Sequence, residues 1–322
     1  GKHPKLLDKM VRLVKPKDLI ETLGLTRHIT RPYLPQDYKH DTGPYTIEQV
    51  VHVEASWHHS KGKGVVEETQ FIESLAFGVD TVKLGGIVAT ADPRDRNFKK
   101  ILKLHHKASP HFRGIRKMAS FHEDKQIHAW TDEPQLYRNK KFLKGFEVLS
   151  QYNLSFDAWV YSTQLEDVIY LAKQFPETSI VLDHLGTPAG LFGPIGANTG
   201  MTQTARENIF FRWKDDLAEL ASCPNVYTKM SGLFMPVLGH RFHKEGRLAS
   251  KQEVFDLAHP MITHALACFG TYRVMFASNF PMDSVSTSLI NIIDALSDVV
   301  AAYDPDALER VFHHNAKQFY RL

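Results

Sequence analysis

Two hydrophobic periods alternate along the chain. Seven short runs rich in β-branched and aromatic residues, at 49–57, 81–91, 112–118, 155–161, 179–185, 226–233 and 273–280, have the length and composition of buried strands. Most are separated by stretches of helical period. In "TQLEDVIYLAKQFP", Leu165, Val168, Ile169 and Ala172 keep one face apolar; "VEETQFIESLAFG", "KFLKGFEVLSQY", "WKDDLAELASCP" and "SLINIIDALSDVVAAY" follow the same rule. Strands alternating with helices predict a parallel sheet with crossover connections. Seven such units fall one short of a (β/α)8 TIM barrel, which commonly forms a single domain at this chain length. A doubly wound sheet is the alternative, but no G-x-G-x-x-G follows any of the strands, so a dinucleotide site has no support.

The shortfall lies at the start. Residues 1–47 hold a basic amphipathic stretch, "LLDKMVRLVKPKDLIETLG", and a Pro-rich connection, "RPYLPQDY", neither of which reads as a strand. The expectation is therefore one α/β barrel domain over 1–322, its first strand either upstream of Gly1 or missing. Residues 1–47 are expected to form a helical and Pro-rich segment packed on it. The apolar stripe of that helix is no wider than a core-facing helix needs, which favours packing over a membrane role.

Side chains alternate across a strand, so each run can be sorted into two faces. His52, Glu54 and Ser56 share one face of the first run; Arg116 stands on the row of Phe112 and Gly114. Asp157, Trp159 and Tyr161 fall together, as do Tyr227, Lys229 and Ser231. His184 ends the row of Ile180 and Leu182, and Asn279 ends that of Met275 and Ala277, with Asp283 on the loop beyond Pro281. A barrel has apolar layers below and admits its chemical groups from the carboxyl ends of several strands. Polar residues gathered late in buried strands fit that plan. Unpartnered, each would cost several kcal/mol, so they must pair with one another, with water, with metal or with substrate.

Bulk composition narrows the partners. A net charge of +3, with no run of five or six like charges, gives no footprint for nucleic acid. Cys223 and Cys268 stand alone without a C-x-x-C, which excludes a disulfide framework and a cysteine-rich zinc site and fits a reducing cytoplasm. No apolar run approaches the ~18 residues of a membrane span. The expected partner is a small-molecule substrate, with a homo-oligomer left open. The histidine pairs His58–His59, His105–His106 and His313–His314 lie in polar surroundings and are expected at the surface.

The strings "SIVLDHLGTP" and "RVMFASNFPMD" resemble the sixth- and eighth-strand motifs of the amidohydrolase superfamily, in the branch that includes pyrone-dicarboxylate and sugar lactonases. "VVHVEASW", "FRGIRKM", "NVYTKMSGL" and "VFHHNAKQFYRL" add to the resemblance, which covers about residues 48–322. It implies a (β/α)8 barrel with its site at the carboxyl mouth and hydrolysis of a lactone, amide or related bond. The chain departs from the superfamily twice. The usual opening H-x-H strand that binds a divalent metal is not found, and the usual eighth-strand aspartate corresponds to Asn279, an amide that cannot act as a base.

These considerations lead to an expected lactonase acting on a small acidic substrate. Asp283 is assigned as base for the attacking water. His184 and Lys229 stabilise the developing oxyanion, and Arg116 binds a substrate carboxylate. His52, Glu54, Trp159, Tyr161, Ser231 and Asn279 line the pocket. A divalent metal, with zinc the first choice, would use His184; metal-independent hydrolysis is the other version. Decarboxylation of a small unsaturated acid and a non-catalytic ligand-binding barrel are the competing functions.

Overall fold

The computed structural model describes residues 16–24 and 31–322. Seven parallel strands pair in chain order: β1 (Gln49–Val53), β2 (Lys83–Thr90), β3 (Phe112–Arg116), β4 (Ser155–Ala158), β5 (Ile180–Leu182), β6 (Val226–Met230) and β7 (Val274–Phe276). Two short helices, α1 (Lys17–Leu23) and α2 (Pro35–Asp41), precede them. The crossovers are α3 (Val66–Glu73), α4 (Phe98–Ala108), α5 (Lys140–Ser150), α6 (Leu165–Gln174), α7 (Gln203–Ala221), then α8 (Phe242–Glu245) and α9 (Lys251–Phe269). After β7 come α10 (Leu289–Tyr303) and α11 (Asn315–Tyr320).

Each predicted run contains one of these strands, and six of the seven strands end at least two residues before their run does. The reason is local. Beyond the sheet the backbone turns sharply, through left-handed residues at Ser56 (φ 59°), His184 (φ 57°), Leu185 (φ 50°) and Asn279 (φ 50°). Such φ values are unfavourable for residues with a Cβ and mark places where surrounding contacts dictate the conformation.

One face of the sheet packs on the helices. Ile87, Ile115, Phe156, Ile180, Leu182, Val226 and Val274 join Leu102, Phe146, Val168, Leu217, Ile262 and Leu296 in the main core. The other face curls around a small apolar floor in which Val51, Val53, Val88, Val181, Tyr227 and Met275 meet Phe319 and Tyr320. Residues of the first and last strands thus touch one shared plug supplied by α11. Among the described residues nothing pairs with the outer edges of β1 and β7, so the eighth strand of the expected barrel is not seen. The fold is an α/β half-barrel of seven parallel strands.

Within the described residues the amphipathic stretch at the start forms helix over Lys17–Leu23, with Pro16 at its N-cap; residues 1–15, which held the rest of that expectation, lie outside the described residues. Helix α1 buries Thr22 and Leu23 and sets Asp18 Oδ2 2.6 Å from His128 Nδ1. His105, expected at the surface, is instead fully buried. Its Nδ1 lies 2.8 Å from Thr69 Oγ1 and its Nε2 3.1 Å from the Thr90 carbonyl oxygen, and burial lowers its pKa to about 4. Two short polar partners make an interior imidazole tolerable, and nothing in the adjacent His105–His106 pair distinguishes one from the other.

Candidate active site

At the carboxyl ends of β1 and β3–β6 lies a buried ionic cluster. Arg116, the last residue of β3, donates from Nε to Glu54 Oε1 (2.8 Å), from one terminal nitrogen to Asp183 Oδ2 (3.1 Å) and from the other to the Glu54 carbonyl oxygen (2.6 Å). Lys229 on β6 donates to Asp183 Oδ1 (2.8 Å) and to Asp157 Oδ2 (2.5 Å). Tyr320 Oη of α11 also donates to Asp157 Oδ2, at 2.8 Å. Asp183 thus bridges both cations, and the cluster ties five strand ends to the plug below them.

Three carboxylates face two cations here, and the electrostatics follow. Burial raises the Asp157 carboxyl above its usual range, with Lys229 opposing and Asp183 reinforcing. Burial acts the same way on Asp183, but Lys229 and then Arg116 overcome it and hold that carboxyl low. Burial works to strip Lys229 of its proton, and Asp157 and Asp183 more than reverse this, so the ammonium persists. Among the described residues Asp157 Oδ1 has no hydrogen-bond partner.

Beside this cluster the chain breaks at Asp183–Gly186. Strand alternation stops at Leu182, and the left-handed His184 turns its ring to Ser231, Nδ1 to Oγ 2.8 Å. The ring meets Trp159 edge-on at 5.7 Å, and the Arg116 guanidinium stands 5.6 Å from the Trp159 ring centre. Gly232 is required by this approach: at φ +62°, a Cβ there would lie 2.5 Å from His184 Cγ. Burial lowers the His184 pKa to about 4 against the pull of Asp183, so the imidazole is neutral at pH 7.

The tip of β7 supplies a third group. Asn279 Nδ2 donates to Asp283 Oδ1 at 2.8 Å, so the amide and the carboxylate four residues on meet side by side. Asp283 is buried, and burial lifts its pKa to about 7, with Asn279 and the Phe234 backbone opposing. The loop after β6 links this pair to the rest: Ser231 and Gly232 touch His184, while Phe234 touches Asp283. An apolar cap of Trp159, Ile195, Met235, Val237 and Leu238, edged by Trp130, forms above the strand ends.

Not every expected residue joins. His52 and Glu54 were placed on one face by alternation, but β1 ends at Val53 and they part company. His52 points outward to Glu68, Nε2 to Oε1 3.1 Å, while Glu54 turns in to Arg116 and also accepts from Thr90 Oγ1 at 3.0 Å. Tyr161 is fully buried, its hydroxyl donating to the His128 carbonyl oxygen at 2.8 Å, and its ring borders a separate cleft of about 160 Å3 with His122 and Arg212. Asp157, Asp183 and Tyr320 were not among the expected site residues. Asp183 was legible: it occupies the alternate row to Ile180 and Leu182, next to a histidine. Tyr320 was not, because nothing in a helix-terminal tyrosine signals a partner 163 residues away.

Among the described residues, the donors around His184 do not by themselves form a three-ligand metal group. Its carboxylate neighbours are committed to Arg116 and Lys229, and Asn279 is neutral. Among the described residues, the groups of three ligand atoms within reach of one ion are His58–His59–Glu67 and Glu309–His313–His314, and neither includes His184. Nor is any helix of the described residues long and apolar enough to cross a membrane.

Comparison with known proteins agrees with this architecture. The protein y4mH of Sinorhizobium fredii is 30% identical over 297 residues, covering 91% of this chain and 87% of that protein. An L-fucono-1,5-lactonase of Burkholderia ambifaria is 28% identical over 219 residues, 66% of this chain and 62% of the lactonase. Among solved structures, a zinc-bound amidohydrolase from Burkholderia multivorans superposes with a TM-score of 0.71 at 20% identity, over 91% of this chain and 90% of that one. A putative 2-pyrone-4,6-dicarboxylic acid hydrolase from Pseudomonas putida gives 0.58 at 16% identity, over 93% and 94%. The family model for amidohydrolases matches residues 32–322, nearly the whole described chain, and by that match the protein belongs to the amidohydrolase family.

Proposed function

We propose that this hydrolase opens a lactone by general-base attack of water, with Asp283 as the base. The observation that carries this is a buried carboxyl at the strand tip whose pKa is lifted to about 7, where a base is both sufficiently ionised and sufficiently basic. Asp283 would take a proton from water as the oxygen adds to the lactone carbonyl, then return it to the ring oxygen as the C–O bond breaks. Asn279 holds one carboxylate oxygen, and the Phe234 backbone also bonds the carboxyl. Neutral His184, held by Ser231, and cationic Lys229 would steady the developing oxyanion. The L-fucono-1,5-lactonase among the relatives supports the substrate class.

Arg116 takes a different part from the one its residue type suggests. Each of its three nitrogens already donates to Glu54 or Asp183, so a substrate carboxylate would compete with two carboxylates for the guanidinium and find at most one free N–H on each terminal nitrogen. A neutral, hydroxyl-bearing lactone meets no such competition and is the substrate we favour. A divalent metal at His184 would need ligands from outside the described residues, and no step is routed through one. Asp283→Asn and His184→Ala should each lower kcat/KM on a panel of neutral lactones by about 100-fold or more; near-wild-type rates in both variants would remove the assignment.

A further inference from the structure

Away from the ionic cluster, the loop between β1 and α3 gathers three nitrogens on one oxygen. His59 Nδ1 lies 2.8 Å, His58 Nε2 3.4 Å and Trp57 Nε1 3.5 Å from Glu67 Oε2, in the first turn of α3. The two imidazole centres are 4.4 Å apart. Adjacent residues in extended chain point to opposite sides, so two neighbouring imidazoles on one acceptor require a turn that the loop enforces.

Several contacts hold that turn. Ser56 is left-handed at φ 59°, and its N–H donates to Glu54 Oε2 at 3.1 Å. The preceding Ala55 N–H donates to Glu68 Oε1 at 2.7 Å. Trp57 lies against Phe71 at 5.1 Å on one side and His58 at 4.8 Å on the other. His59 sits on Gly64, where a Cβ would come within 2.9 Å of the His59 Cβ and Cγ, so the missing side chain makes the seat.

We propose that His58, His59 and Glu67 form a binding site for a divalent transition metal of the zinc class, distinct from the hydrolytic site. The three ligand atoms lie within 4.8 Å of one another. With metal–ligand bonds of about 2.0 Å, a tetrahedral site has ligand–ligand edges of about 3.3 Å. The nitrogen–oxygen separations of 2.8 and 3.4 Å bracket that edge. Two imidazoles and one carboxylate suit zinc, nickel or copper rather than magnesium or calcium, which prefer all-oxygen shells. The Trp57 N–H reaches the carboxylate from the side and would orient it as an outer partner. The fourth corner opens to solvent, since both histidines are exposed.

The second three-ligand group, Glu309–His313–His314, is a poorer host and serves as the internal control. His313 Nε2 is already 2.5 Å from Glu48 Oε2, and the Lys317 ammonium sits 3.4 Å from the other oxygen of Glu48. A cation beside the ligands opposes a second one.

The test is equilibrium dialysis of the full chain against zinc chloride, with bound zinc counted by elemental analysis, and cobalt(II) as the absorption probe of geometry. Wild type and His313→Ala should bind one equivalent more than His59→Ala and Glu67→Gln, and the cobalt bands of a tetrahedral site should vanish in the latter two. Glu67→Gln keeps a carbonyl for His59, so loss of binding there with an unchanged circular dichroism spectrum reports the ligand and not the fold. Wild-type stoichiometry in both His59→Ala and Glu67→Gln would overturn the proposal. Zinc count is independent of lactone turnover, so either result leaves the hydrolytic assignment to its own assay.

Discussion

Replacing Asp283 by Asn should remove activity and, above about pH 5, add stability. Folding takes this carboxyl from the ordinary 3.8 to about 7, because the site is buried and no cation opposes it among its described neighbours. Below about pH 4 the folded and unfolded chains both keep the proton, and the group contributes nothing to their difference. Between about pH 4 and 7 only the unfolded chain releases it, so native stability falls as pH rises. Above pH 7 both forms are ionised, and the folded state carries the full burial penalty, about 4 kcal/mol at about 1.4 kcal/mol per pH unit. Asparagine matches the neutral carboxyl in shape, and its amide oxygen can still accept from Asn279.

Urea unfolding of wild type and Asp283→Asn between pH 4.5 and 8.5 measures this directly. The variant's advantage should grow from within about 1 kcal/mol at the acid end to about 4 kcal/mol at pH 8, while the lactone rate of the wild type rises through an apparent pKa near 7. An advantage that does not change with pH, or a variant less stable at pH 8, would refute the account of Asp283 as a strained, buried base.

Two further perturbations probe the supports of the site. Lys229→Met leaves Asp157 and Asp183 facing each other without their shared ammonium, and should destabilise by about 3–5 kcal/mol; adding Asp157→Asn should recover part of the loss in the same unfolding assay, and no recovery would mean the two do not act as one unit. Gly232→Ala forces a Cβ onto His184 at a backbone angle that favours glycine, which should lower the melting temperature by several degrees and reduce activity together; loss of stability with full activity would show that His184 can move freely.

Much of the half-barrel was legible because hydrophobic period survives in the strands. All seven runs contain strands, but in β1 and β5 the inward row is Val51 and Val53, and Val181, not the rows of His52 and of Ile180, Leu182 and His184 on which the site residues were expected. The candidate site was less legible for the same physical reason. Arg116, Asp157 and Lys229 lie within strands, but Glu54, Asp183 and His184 stand one or two residues beyond theirs, and Ser56, His184 and Asn279 adopt left-handed backbone where alternation no longer assigns a face. That is why His52 and Glu54 diverge; Asp183 enters the ionic cluster because it continues the inward row of Val181, opposite that of Ile180 and Leu182. Arg116 was recognisable as a site residue by type, but the two carboxylates that occupy its fork come from separate strands and leave no local trace. Asn279 and Asp283 were the exception, since four residues of chain suffice to bring them together.

The link from Tyr320 to Asp157 has a consequence for synthesis. As the polypeptide emerges, each strand can settle against the one just made, so the sheet can grow outward in order. The acidic pocket cannot be completed in that way. Until the helix bearing Tyr320 has left the ribosome and swung back beneath the strands, Asp157 lacks its hydroxyl and the hollow its floor, so the chemical centre cannot mature before all seven strands and that helix have been made.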